Sequence, residues 1–535
     1  MAIETPTTMM TQHPDASRYV PVQDEPDEAI RALSPMPGGL GLTEAMIDFE
    51  GKLTPYQQPA QIVLGLLDKN VVPGRDVHIT PRIPSGREEG VFRQLMALMA
   101  VVESNYQAHK KSGAYAIREV ILPMTSGADE LMSVKERILD VIELANKEFG
   151  LSKDPGLIDI IPLIETIPEI FAVDTIFQEY LNETRKRGFE KDRFRYMLGR
   201  SDLALSYGMV ASVLANKIGI SMGHRVERET GVRILPILGG GTLPFRGHLT
   251  LDNLGNSLVE YPGVRTMTVQ SSMRYDHGEE KTRRLAARLA EELPRTQPLD
   301  FDDTQVRRIT NMAGVFTKNY LASFFQLVET AAKISDIIPG QRDRLARKSA
   351  VGYARDLPHP ETMAPFLSDG DLAKELESCQ PKRDLQLPRA ISFTAALYSI
   401  GLPPEIIGTG RGLREIRDRY GSDVTNELAA VYPTLRTDLE YACRFLHLEN
   451  ACEFIPADVA KPLNDDIQYL ANDFGVAIGP TTQQDRLYRT IIETMKPLLK
   501  EIIAGPEGIL SDESLEEDLV RDWILKLGRI RGALG

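Results

Sequence analysis

Cysteine and tryptophan are scarce: Cys379, Cys443, Cys452 and Trp523 are all that 535 residues contain. The cysteines form no C-x-x-C pair. His447 follows Cys443 by four residues, but two such groups do not complete a zinc site, so a disulfide scaffold and a thiolate metal centre are both disfavoured. The cysteines are read as reduced, buried and structural. Long apolar runs are also lacking. The stretch Leu95–Val102 falls far short of the roughly 20 residues that span a bilayer, and the first twenty residues hold no apolar core of a secretory leader. A cytoplasmic protein with no membrane partner is expected. Positive charge is in deficit, 62 Lys and Arg against 76 Asp and Glu, for a formal net charge of -14. That balance argues against nucleic-acid binding, which needs clustered cations to neutralise phosphates.

What the chain does have is a recurring alternation. Short Ile/Val/Leu-rich runs lie near Ala45–Glu50, Asp76–Arg82, Arg118–Met124, Ile158–Glu165, Phe194–Asp202, Arg233–Gly239 and Thr266–Gln270, with an eighth expected from Arg389. Between them, Glu88–Lys111, Ala128–Glu148, Ile167–Arg187 and Lys281–Leu293 place apolar residues at three- and four-residue spacings, as covering helices do. Apolar strands buried on both faces and wrapped by helices define the expected fold: α/β, a TIM-type (β/α)8 barrel with large additional α-helical regions. Pro123, Pro162 and Pro236 run against it, because proline removes a ladder donor. Residues 1–41 are rich in proline and glycine and are read as a loop segment that contributes to the active site. Residues 42–411 are assigned to the barrel, with a helical insertion at about 280–388. Residues 412–535 are assigned to a C-terminal α-helical region.

In such barrels the reactive groups sit at the C-terminal ends of the strands. There the sequence offers Asp48 and Glu50, Arg82, Glu165, Arg200 and Asp202, Gly239-Gly240-Gly241 with Arg246, then Gln270 and Arg274. Carboxylates from different strands suit a hard divalent cation, and Glu165 with Asp202 is the preferred pair. Taken singly, each has a plainer role, Glu165 as a helix cap and Asp202 as a partner of Arg200. Guanidiniums suit a phosphate or carboxylate because their planar fork donates two hydrogen bonds. The glycines lack the Gly-Lys-Ser/Thr of a Walker loop, and Gly408-Thr409-Gly410-Arg411-Gly412 lacks dinucleotide spacing.

With these residues in place, most of the chain resembles the phosphoenolpyruvate carboxylases, most closely their short archaeal-type branch. Thr11-Gln12-His13-Pro14 is similar to the family's Thr-Ala-His-Pro, and Ile79-Thr80-Pro81-Arg82 to its Asp-Ile-Arg strand. Ile164-Glu165-Thr166 and Gly199-Arg200-Ser201-Asp202 resemble its Phe-Glu-Thr and Gly-Tyr-Ser-Asp runs. Further on, Phe245-Arg246-Gly247 stands where a glycine- and arginine-rich loop lies, Thr268-Val269-Gln270 resembles Thr-Glu-Gln, and Arg389-Ala390-Ile391 resembles the start of Arg-Ala-Ile-Pro-Trp. Each piece is short, and their common order carries the resemblance. It implies phosphoenolpyruvate and bicarbonate as substrates and oxaloacetate and phosphate as products. It also implies a Mg2+ or Mn2+ ion on Glu165 and Asp202. His13, Arg82, Arg200 and Arg246 would then be catalytic, and Arg82, Arg246, Gln270 and Arg274 would hold substrate. A homotetramer is implied as well.

The departures are specific. The larger relatives carry two Gly-Arg-Gly-Gly units in the mobile loop, whereas this chain offers only Arg246, and Arg200 is expected to supply the missing charge. Leu205 stands where a lysine follows their Ser-Asp, and their terminal Asn-Thr-Gly is replaced by Arg531-Gly532-Ala533-Leu534-Gly535. These gaps put aspartate feedback in doubt and leave Lys382 and Arg383 as the effector candidates. Two rival readings stand: a metal-dependent aldolase-like lyase using the same groups, and a noncatalytic anion-binding protein.

Overall fold

Eight apolar runs close into a parallel ring in the computed structural model, which describes residues 4–344, 359–381, 387–504 and 515–535. The strands are β1 (Thr8–Met10), β2 (Glu44–Asp48), β3 (His78–Arg82), β4 (Glu119–Leu122), β5 (Asp159–Ile164), β6 (Arg193–Gly199), β7 (Arg233–Gly239) and β8 (Thr266–Val269). Each pairs with the next, and β1 pairs with β8 to close the barrel. Register is tight where one rim must be level: Asp48 lies opposite Arg82, and Gly199 opposite Gly239. Inside the ring, Met9, Met46, Ile121, Ile161, Leu163, Met197 and Ile237 fill the lumen. A much larger apolar layer lies between strands and helices. The barrel is thus a packed core rather than a channel.

One expectation about the strands is corrected. No strand starts at Arg389; Ala390–Ser399 is a helix, and the eighth member of the ring is β1, within the segment read as a loop. Three residues are too few to show a periodicity of two, and the surrounding prolines and glycines mask them. The same segment also forms a helix, Glu25–Leu33. Because every strand precedes Gln270, the long helix Asp303–Ser335 follows the ring rather than interrupting it. It packs against Met209–Thr230 on the barrel wall and against Ala390–Ser399 and Thr409–Tyr420.

Proline is accommodated where the ladder allows it. Pro123 lies just past β4, while Pro236 sits inside β7. Pro236 O accepts from Arg265 N–H, and pairing with β8 begins only at Ile237 and Thr266, so the missing donor falls where the ladder starts. Among the described residues, no single helix is long and apolar enough to cross a membrane.

Candidate active site

A pocket of about 110 Å³ opens at the C-terminal mouth of the barrel. It is lined by His13 beyond β1, Glu50 beyond β2, Arg82 on β3, Glu165 beyond β5, Arg200 and Asp202 beyond β6, Arg246 in the loop after β7, and Gln270 beyond β8. Parallel strands deliver all their C-terminal ends to one face, so residues spread over 250 positions converge.

Three carboxylates face this space. Glu165 Oε2 accepts from the Met124 N–H at 3.1 Å, and Gly199 leaves it room, since a Cβ there would stand 3.2 Å from Glu165 Cγ. Asp202 occupies the first turn of helix Ser201–Tyr207. Glu50 Oε2 pairs with Arg82 at 2.7 Å, while its Oε1 is buried with no hydrogen-bond partner among the described residues. An all-oxygen donor set with an orphaned carboxylate oxygen fits Mg2+ or Mn2+, which take carboxylates together with water and substrate oxygens. A second cluster, Glu44, His78 and Glu119, brings its ligand atoms within 4.8 Å of one another and by spacing alone can hold a metal. It lies at the opposite, N-terminal ends of β2, β3 and β4. There Arg195 already bridges Glu44 at 2.6 Å and Glu119 at 2.8 Å, so its guanidinium offsets carboxylate charge without a metal ion. We read it as a buried structural ion network.

The arginines divide by what their guanidiniums touch. Arg82 clasps Asp48 with Nε and Nη2 at 2.8 and 2.7 Å and pairs with Glu50. Burial opposes its charge, but those carboxylates outweigh it and hold its pKa well above the ordinary value. Arg246 donates to Ser201 Oγ at 3.0 Å, Gly535 O at 2.5 Å and Gln270 Oε1 at 2.6 Å. Burial lowers its pKa. Gly241 makes this arrangement possible, because a Cβ there would lie 2.9 Å from Gln270 Oε1 and 3.1 Å from Arg246 Cζ.

Arg200 departs from its expected role. Its guanidinium turns beneath the loop, donating to Tyr261 Oη at 3.1 Å, Ser212 Oγ at 2.5 Å and the carbonyls of Phe245 and Pro244 at 3.4 Å. It therefore props the loop that carries Arg246 while still lining the pocket. Arg274 lies outside the pocket lining; it donates to Val269 O, Thr11 O and Glu28, tying β8 to the segment after β1. Lys382 and Arg383 lie outside the described residues.

His13 is half-buried beside Arg344, Arg82 and Arg246, and desolvation followed by those three cations drives its pKa well below the ordinary 6.5. The imidazole is neutral at physiological pH. Its Nδ1 shares a 2.7 Å hydrogen bond with Thr11 Oγ1, which leaves Nε2 for the pocket.

Two lining groups were not singled out as site residues from the sequence. Arg344 arrives from the strap that follows helix Asp303–Ser335. Arg389 is the N-cap residue of helix Ala390–Ser399, and Ala390, Ile391 and Ser392 line the pocket with it. That helix therefore presents its N-terminal turn, where unpaired N–H groups and the helix dipole favour an anion. The Arg389-Ala390-Ile391 run was a usable signal for the second; for Arg344 only the basic cluster after Gly340 was.

A closed (β/α)8 barrel whose C-terminal mouth collects carboxylates, guanidiniums and one neutral histidine defines an enzyme class built for small oxyanions. The comparisons narrow that class. The family model described as phosphoenolpyruvate carboxylase matches residues 5–535, and the chain belongs to that family. It is similar to the phosphoenolpyruvate carboxylase of Methanosarcina barkeri, 41% identical over 99% of each chain. It is similar also to that of Methanopyrus kandleri, 40% identical over 99% of this chain and 98% of the relative. A bacterial relative, from Leuconostoc mesenteroides, is 29% identical over 91% of this chain.

Proposed function

We propose that the protein joins bicarbonate to phosphoenolpyruvate and releases oxaloacetate and inorganic phosphate. The observation that carries the reading is the convergence of His13, Glu165, Asp202, Arg82 and Arg246 on one buried pocket at the strand ends. Relatives at about 40% identity over the whole chain bear the name of that activity.

In this reading a bicarbonate oxygen attacks the phosphorus, the bond from phosphorus to the enol oxygen breaks, and carboxyphosphate and the pyruvate enolate result. Carboxyphosphate then splits into carbon dioxide and phosphate, and the enolate carbon attacks carbon dioxide to make the new carbon–carbon bond. The proton of bicarbonate ends on phosphate, and His13, neutral and with Nε2 facing the pocket, is placed to carry it. Arg246 and the N-terminal turn of Ala390–Ser399 neutralise phosphate charge as it shifts. The apolar side chains of Leu163, Met197 and Ile391 on the pocket wall limit the water that could protonate the enolate. Glu165 and Asp202, with Glu50 beside them, would hold a divalent cation, which when bound supplies positive charge to the enolate oxygen.

The test is oxaloacetate formation from phosphoenolpyruvate, bicarbonate and Mg2+, followed by coupled reduction with NADH. Activity should require bicarbonate, vanish with chelator, return with Mg2+ or Mn2+, and fall at least about a hundredfold in Glu165→Gln and Asp202→Asn. Cleavage or aldol products without bicarbonate dependence would favour the aldolase-like reading.

A further inference from the structure

We propose that Arg344 is the residue that binds bicarbonate, an inference that rests on the carboxylase reading above. After helix Asp303–Ser335 the chain runs back across the barrel mouth as a strap that includes Gln341–Arg344, and these residues are fastened to the segment after β1. Val20 N–H donates to Gln341 O at 3.1 Å, and Asp343 accepts from Val22 N–H at 2.9 Å and Tyr19 Oη at 2.8 Å. Arg342 is buried and donates to His13 O at 3.2 Å while pairing with Glu25 and Glu28. The strap thereby delivers Arg344 to the pocket wall beside His13 with little freedom to move.

What sets Arg344 apart from Arg82 and Arg246 on the pocket wall is the unused part of its guanidinium. Arg82 has Nε and both terminal nitrogens on Asp48 and Glu50, and Arg246 has all three on Ser201, Gly535 and Gln270. Arg344 spends Nη2 on Gln12 O at 3.0 Å and Asp48 at 3.1 Å, but its Nε–H is buried without a partner among the described residues. A buried donor left unmade is costly, and because 14% of the side chain is exposed at the pocket, a small swing of the guanidinium turns this edge to a ligand.

The local charge selects the ligand. Around Arg344 the cations Arg344 and Arg82 meet the carboxylates Asp48 and Glu50 at close to one-to-one. That balance tolerates a small planar monoanion and is poorly suited to a phosphoryl group. Both bicarbonate and the carboxylate of phosphoenolpyruvate present a trigonal oxyanion to such a fork. We assign bicarbonate because the stronger phosphate features, Arg246 and the helix turn at Ile391, are joined to each other at Gly535, whereas Arg344 and Arg82 are joined at Asp48. Gly535 adjoins both: its oxygen accepts from Arg246, and a Cβ on it would collide with Ile391 O.

The experiment compares full-length wild type with Arg344→Gln and Arg344→Lys, measuring KM for each substrate and the ratio of pyruvate to oxaloacetate formed. A lost charge-assisted contact should raise KM for bicarbonate roughly tenfold to a hundredfold in the glutamine variant, with KM for phosphoenolpyruvate within about twofold, and lysine should restore part of it. Pyruvate should rise relative to oxaloacetate as carboxyphosphate is held less well. A rise confined to KM for phosphoenolpyruvate would reassign the fork to that substrate's carboxylate and overturn the proposal, as would no change in either constant. Should the glutamine variant fail to fold, the lysine variant carries the same comparison. Should wild type form no oxaloacetate, the carboxylase reading fails by itself. Line broadening of 13C-bicarbonate by wild type, lost in Arg344→Gln, then still supports bicarbonate binding by this residue, and equal broadening overturns it.

Discussion

Glu405 offers the sharpest stability measurement. Its carboxyl is fully buried under the loop after β7, where Oε1 accepts from Phe245 N–H at 3.0 Å and from Tyr398 Oη at 2.8 Å, while Oε2 has no partner among the described residues. Burial dominates those hydrogen bonds and lifts its pKa from the ordinary 4.5 to about 7. A raised carboxyl favours folding most below pH 4.5, and that contribution drains away as pH climbs through 7. At 1.36 kcal/mol per unit, the interval amounts to about 3 kcal/mol. Glu405→Gln keeps an oxygen acceptor for Phe245 and Tyr398 but cannot ionise, so it should escape the loss. With unfolding entropy near 2.1 cal/mol/K per residue, 535 residues give about 1.1 kcal/mol/K, and about 2.5 kcal/mol of the loss falls between pH 5 and pH 8, so the melting temperature of the variant should gain about 2 °C on wild type over that range. Differential scanning fluorimetry of both proteins over that range reads the difference directly, because every other titrating group is shared. A difference that stays flat from pH 5 to 8 would refute the argument that this carboxyl titrates there.

Two further outcomes follow from the geometry. Removing Arg195 strands Glu44 and Glu119 in the barrel floor, so Arg195→Met should cost about 3–5 kcal/mol in chemical denaturation while turnover per folded molecule stays near wild type. Gly408 has φ of +72°, and a Cβ there would lie 2.4 Å from Tyr320 N and 2.5 Å from Asn319 C, both backbone atoms that cannot swing aside. Gly408→Ala should therefore abolish soluble expression or lower the melting temperature steeply. Gly421→Ala, with φ of +87° but nothing within 4 Å, should cost only about 1–2 kcal/mol.

The residues that sequence reading located well are those at the ends of long apolar strands, where alternation of strand and helix marks the boundary. Glu165, Asp202, Arg82 and Gln270 sit at or just beyond the stop of such a run, Arg246 lies in the loop after β7, and all reach the pocket. Neighbours in sequence nevertheless part company there. Arg200 and Asp202 flank the strand-to-helix turn, and one guanidinium swings under the loop while the carboxylate stays on the wall. Arg274, one turn into helix Ser271–Tyr275, is rotated back toward Thr11 and Val269. The short β1 carries no periodicity, although its successor His13 was legible from its Thr-Gln-His-Pro setting. Arg344 reaches the pocket only because a strap crosses some 300 positions of sequence to lie on residues 12–28, a path that no local pattern encodes.

The closure of the ring by its earliest strand also bears on how the protein is made. During synthesis β2 to β7 can pair as they emerge, yet β1 waits for β8, about 260 residues behind it, before both its edges are covered. Until then the growing sheet has two open margins. Arg344, Arg389 and the helix turn after it emerge only once the ring can close, so turnover during refolding should begin after the barrel's two ends join, when these later segments reach the mouth.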